Sequence, residues 1–129
     1  MTIREMTNPE VDEACAVEVM GWKSCIHSMQ DRNDKTEHGW QTEKETKRKK
    51  YWLPTKNLEQ AFMIVERMID FDDKKRIHGF ELFYDTVSFN AVFQNLDTNK
   101  RYSNMTMTSS APRVICEAAL MAVRERGEE

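Results

Sequence analysis

The final apolar stretch, residues 110–123 (Ser-Ala-Pro-Arg-Val-Ile-Cys-Glu-Ala-Ala-Leu-Met-Ala-Val), limits most strongly how this chain can fold. It predicts a helix with a start, a buried stripe and a stop. Ser109 or Ser110 can accept a hydrogen bond from a first-turn N–H, and Pro112 suits the first turn, where a missing N–H costs nothing. Ile115, Ala118, Ala119, Ala122 and Val123 recur at three- and four-residue spacing and line one side. Their small side chains allow close approach to a sheet. Gly127 follows the last apolar residue, where helices commonly stop. A helix this apolar needs a large partner surface, and three strands are predicted just before it.

From Phe80 onward the period is two. Phe80, Leu82 and Tyr84 alternate with Glu81, Phe83 and Asp85; Val87, Phe89, Ala91 and Phe93 alternate with Ser88, Asn90, Val92 and Gln94. A third run spans residues 102–108. Asp85-Thr86 and Asp97-Thr98-Asn99-Lys100 supply turns, so these strands should form antiparallel hairpins. Phe83 and Val92 make both faces partly apolar, and such a sheet needs helices on each side.

Upstream, Asn8 is predicted to cap a first helix that has Pro9 in its first turn. Val11, Ala14, Cys15 and Val19 form its apolar side, and Gly21 ends it. Residues 22–29 predict an edge strand with Trp22, Ser24, Ile26 and Ser28 facing one way. After the extended piece Tyr51-Trp52-Leu53-Pro54 comes an amphipathic helix, with Leu58, Ala61, Phe62, Val65, Met68 and Ile69 on its buried side. The expected fold is α+β: a single domain, 1–129, with an antiparallel sheet of about four strands and helices on both faces, an α/β/α sandwich. Residues 31–50 read as an exposed charged loop or hairpin whose one large apolar residue is Trp40.

A chain of 129 residues can bury about two-thirds of its unfolded surface. A net charge of −3 is too small to argue for a strongly charged partner. No apolar run approaches the roughly 20 residues that cross a bilayer, and the first five residues form no signal peptide. Cys15, Cys25 and Cys116 are odd in number and widely spaced, which fits reduced thiols in a cytosolic setting.

No catalytic constellation is visible, so no enzyme, metal or cofactor is expected. His27, His38 and His78 match no zinc spacing. Cys25 and His27 share a strand face but lack an orienting third group. Asp70, Asp72 and Asp73 read as a polar turn. Lys44, Lys47, Arg48, Lys49 and Lys50 are either a phosphate-attracting lid or solvated charge, and the interleaved Glu43 and Glu45 weigh against a nucleic-acid polymer.

Binding is better supported. Arg113 in a helix first turn is misplaced for the dipole, whereas an anion there would meet its guanidinium and free N–H groups. Thr108, Ser109 and Ser110 add hydroxyls. Phe89 and Phe93 with Asn90 and Asn95 could stack a base and read its edge, although aromatics at strand spacing also serve as core. Arg113 can equally pair with Glu117 one turn along.

Several segments carry a family resemblance: Val19-Met20-Gly21-Trp22-Lys23, residues 58–68, Phe80-Glu81-Leu82-Phe83-Tyr84-Asp85, and Ala111-Pro112-Arg113-Val114-Ile115-Cys116-Glu117-Ala118-Ala119-Leu120. Together they resemble small phage proteins with the phage ABA-sandwich domain, over nearly the full chain except residues 31–50. The chain is also similar to phage Thoeris anti-defence proteins, which implies a non-enzymatic homo-oligomeric sponge for cyclic ADP-ribose-type signals or cyclic oligonucleotides. Those pockets use stacked aromatics, an Asn and arginines near the start of the last helix, and Arg113 matches the first arginine. Glu117 stands where a second cation is expected. That departure speaks against phosphate binding at this end, or moves the second cation to Arg76, Arg101 or the basic loop.

Overall fold

A computed structural model of the chain describes residues 2–28, 36–42, 46–69, 78–85, 87–96, 98–104, 106, 108 and 110–127, without the side chains of 26–28, 36–38, 78 and 125–127. Among the described residues three α-helices and two three-stranded antiparallel sheets make it an α+β protein. β1 (Lys23–Ser28), β2 (Thr36–Gln41) and β3 (Thr46–Arg48) form one sheet; β4 (His78–Tyr84), β5 (Phe89–Asn95) and β6 (Arg101–Ser103) form the other. The strand count therefore exceeds the expected four, because the charged segment after β1 supplies two strands of its own. β1 lies at a sheet edge, as its polar side predicts.

The terminal helix, α3 (Ala111–Gly127), organises the core. Ser110 caps it: its Oγ accepts the Arg113 N–H at 3.3 Å. Val114 to Leu120, seven consecutive residues, are all 0% exposed, so the helix is buried around its whole circumference and not along one stripe. It packs against β5 and β6, against α2 (Leu58–Ile69), and against the N-terminal helical segment. Phe93 and Tyr102 meet it from the sheet, paired across β5 and β6, while Phe80 lies 4.9 Å from Phe93.

The N-terminal segment begins one residue earlier than Asn8 predicts. Thr7 is the cap of α1 (Asn8–Ala14): the Thr7 N–H donates to Glu10 Oε1 at 2.9 Å and the Glu10 N–H to Thr7 Oγ1 at 3.4 Å, a reciprocal box. This leaves the Asn8 amide available for another partner. The helix widens into a π-turn over Cys15–Val19 and ends at Gly21, whose φ of +73° needs a glycine.

α2 buries Ala61, Ile64, Val65 and Met68, but Leu58, Phe62 and Ile69 remain 40–43% exposed. Those three lie about a quarter turn from the buried set at 3.6 residues per turn. Its apolar arc is wider than the surface that covers it.

The third strand stops at Ser103, well short of Thr108. Beyond it Asn104 bonds Ala91 twice, its N–H donating to the Ala91 carbonyl at 3.3 Å and its Oδ1 accepting the Ala91 N–H at 3.0 Å, and an isolated bridge pairs Phe89 with Thr108. Three tryptophans close the other sheet onto the core. Trp22 precedes β1 and meets Trp52 edge-on at 4.5 Å, and Trp40 is buried despite its charged neighbours.

Candidate functional site

The start of α3 is a clamp on the N-terminal segment. The Arg113 Nε donates to Glu117 Oε2 at 2.6 Å, Nη1 to Asn8 Oδ1 at 3.0 Å, and Nη2 to the carbonyls of Ile3 and Met6 at 3.3 and 2.9 Å. Glu117 is fully buried and also accepts from the Thr106 N–H and hydroxyl at 2.9 and 2.7 Å. A guanidinium has five N–H donors in a fixed fork, and this one spends four contacts on the protein itself. The misplacement against the helix dipole is thus offset by Glu117 one turn along, not by an external anion.

The other predicted ligand residues are spread over the fold. The Ser110 hydroxyl caps α3 and reaches the Thr55 carbonyl at 3.4 Å; Thr108 Oγ1 accepts the Ser110 N–H at 3.1 Å. Phe93 is wholly buried, and Phe89 packs on Tyr84 at 5.0 Å. Asn90 donates to Asp85 at 3.0 Å, and Asn95 Oδ1 accepts the Thr98 N–H at 3.2 Å. Arg101 pairs with Glu81 at 3.2 Å. Asn95 and Arg101 stand at the far end of β5 from Phe89 and Thr108, about 20 Å away along an extended strand. Arg76, Ser109 and the Asp70, Asp72 and Asp73 group lie outside the described residues, as does the His27 side chain.

What the structure does bring together is a cleft of about 420 Å³ between α1, β2 and residues 49–53. Two indoles, Trp40 and Trp52, two lysines, Lys49 and Lys50, and two acids, Asp12 and Glu13, line it together with Pro9 and Leu53. A 3₁₀ turn over Lys49–Tyr51 carries Lys49 and Lys50, the last two cations of the basic run, to this cleft. The Lys49 ammonium lies 4.2 Å from the Trp40 ring centroid and 3.9 Å from Glu13 Oε1, a cation–π contact next to a long ion pair.

Asp12 is 5% exposed. Its Oδ1 accepts the Thr55 N–H at 2.9 Å and its main-chain carbonyl accepts Trp52 Nε1 at 2.9 Å. Burial raises its pKa, only partly opposed by the Thr55 contacts and by the charges of Lys56 and Arg113. The buried Thr55 hydroxyl nearby favours the carboxylate's charge yet makes no hydrogen bond of good geometry. Sequence reasoning missed Asp12 because an acid in a short helix looks like solvated surface. The basic run was the one visible signal for this region. A smaller cleft of about 290 Å³ is lined by Trp22, Lys23, Gln41 and Arg67 among others.

Cys15 and Cys116 are buried free thiols, and burial with the neighbouring Cys15 pushes the Cys116 thiol well up. Among the described residues no cluster of His, Cys, Asp and Glu could hold a metal ion, and no helix is long and apolar enough to cross a membrane.

Two antiparallel sheets packed with three helices, the last buried on all sides, define an α+β sandwich built around its terminal helix. The model of the Phage ABA sandwich domain matches residues 13–120, and the chain belongs to that family. No curated protein and no solved structure matches the chain significantly.

Proposed function

We propose that this phage protein captures a cyclic nucleotide immune signal, of the cyclic ADP-ribose type or a cyclic oligonucleotide, and sequesters it without cleavage in the host cytoplasm. Such a sponge would blunt anti-phage defence of the Thoeris or CBASS kind. One observation carries the reading: the cleft joins two lysines to an indole wall in a volume suited to a small molecule. The phosphates take the place of Glu13 as the anion facing Lys49, and the base lies along the tryptophan wall. Capture therefore depends on Lys49 and Lys50 and leaves Arg113 to its internal role.

Isothermal titration against cyclic ADP-ribose isomers and cyclic di- and trinucleotides tests this. Heat with at least one of them, followed by recovery of the intact ligand after denaturation, supports capture. No heat with any member refutes it, and a cleaved product would make the protein a hydrolase.

A second reading is an accessory factor that works by protein contact. The exposed line Leu58, Phe62 and Ile69 on α2 favours it, and a second copy of the chain is its simplest occupant. Sedimentation of wild type against Phe62→Ser checks for that homo-oligomer. A monomeric wild type removes the second copy as occupant.

A further inference from the structure

We propose that Asp12 sets the base preference of the cleft, selecting a nucleotide whose base presents two adjacent N–H donors, the guanine type. This rests on the capture reading above and specifies its ligand. Asp12 lines the cleft while being almost wholly removed from water. An ionised carboxylate is acceptor-only, with about four lone-pair sites, and a buried one is costly unless donors surround it. Among the described residues the Thr55 N–H is its one donor at hydrogen-bonding distance and geometry. Lys49, an ammonium that lines the same cleft, is directed at Trp40 and Glu13.

An occupant of the cleft therefore gains most by bringing N–H groups to Asp12. Guanine offers N1–H and the N2 amine side by side, matching the acceptor-only group. Adenine and cytosine each place an acceptor nitrogen beside a single amine, and that lone pair would face the carboxylate. Uracil sets one N–H between two carbonyls. Two further features keep the acceptor in place. Trp52 Nε1 holds the Asp12 main chain and the Thr55 N–H fixes the carboxylate, so little is lost in ordering it. Lys49 and Lys50, which line the same cleft, provide cations for the phosphate end of the same ligand.

The test uses the wild-type chain and three probes: cyclic di-GMP, cyclic di-IMP, which lacks the N2 amine, and cyclic di-AMP, each titrated calorimetrically. The guanine compound should bind roughly tenfold or more tighter than the adenine one, with the hypoxanthine compound between them, as expected for hydrogen bonds to a charged group. Asp12→Asn retains an acceptor for the Thr55 N–H and should fold. It should erase that order while still binding cyclic di-AMP. Equal or tighter binding of the adenine compound by wild type overturns the assignment to Asp12 but leaves capture standing. So does an Asp12→Asn variant that keeps the guanine preference. Failure of all three probes and of the cyclic ADP-ribose panel removes capture and the assignment together.

Discussion

Replacing Arg113 by Met tests whether the start of α3 is scaffold or binding surface. The substitution keeps most of the side-chain volume and removes the charge. It takes from the fully buried Glu117 carboxylate its guanidinium partner, and from the Ile3 and Met6 carbonyls and the Asn8 amide oxygen the donor that Arg113 brings to each. Removing one partner of a buried ion pair costs about 3–5 kcal/mol. Set against a typical total of about 5–15 kcal/mol, that is a large share. With an unfolding entropy of about 2.1 cal/mol/K per residue over 129 residues, a loss near 4 kcal/mol lowers Tm by about 15 °C. Urea unfolding of wild type, R113M, E117Q and the double variant measures it. R113M should fall by the stated amount at unchanged m, and the double variant should show a coupling of roughly 2 kcal/mol or more. An R113M loss below about 1 kcal/mol, with additive single effects, would refute the clamp.

Three other outcomes follow from local geometry. Gly21→Ala meets nothing within 4 Å but must hold φ at +73°, so it should cost about 1–2 kcal/mol in urea unfolding without disturbing packing. Asp12 has a raised pKa in the folded protein, so its contribution is fully present below the unfolded value near 3.8 and is lost as pH rises through the folded one. Asp12→Asn should therefore gain stability relative to wild type at neutral pH, the gain vanishing in acid; a pH-independent difference would count against this. Asp85 is exposed, and its pKa is lowered by N–H bonds from Ser88 and Val87 and by the Asn90 amide. Its contribution holds above about the ordinary value of 3.8 and fades as pH falls through the lowered one, so protection of the Ser88 amide, taken relative to its intrinsic exchange rate at each pH, should fall in acid in wild type but not in Asp85→Ala.

The sequence made the elements legible where one physical signal dominated. Period two found β4 and β5, the Pro112 and Gly127 punctuation bounded α3, and Gly21 marked the end of the first helix, where the structure has a φ of +73°. The rest depended on tertiary partners. A stripe at helical spacing cannot show that Val114 and Cys116, between its members, are equally buried, because that depends on what surrounds α3. Trp40 looked exposed among charges, yet the Lys49 ammonium covers its ring with a polar head. Arg113 was visible as an anomaly and the Glu117 pairing as one of its explanations. The three further acceptors of its fork lie more than 100 residues away, so their convergence was invisible.

The same contacts separate a direct role in binding from an indirect one. α1 is held from two sides: Arg113 bonds Asn8 at its start, while Trp52 and the Thr55 N–H bond Asp12 further along. The Ser110 hydroxyl, at 3.4 Å from the Thr55 carbonyl, ties the cap of α3 to that second anchor. Loss of Arg113 thus weakens the fold while the bonds that shape the cleft persist. At a temperature well below its melting, R113M should bind nucleotide within about threefold of wild type. Lys49→Ala removes a partly exposed side chain whose ion pair adds about 0–1 kcal/mol, so stability should barely change. Affinity should fall about tenfold, through the lost charge-assisted contact to phosphate. The opposite pattern, with binding abolished in R113M and intact in Lys49→Ala, would return the ligand to the start of α3 and make the cleft a by-product of packing.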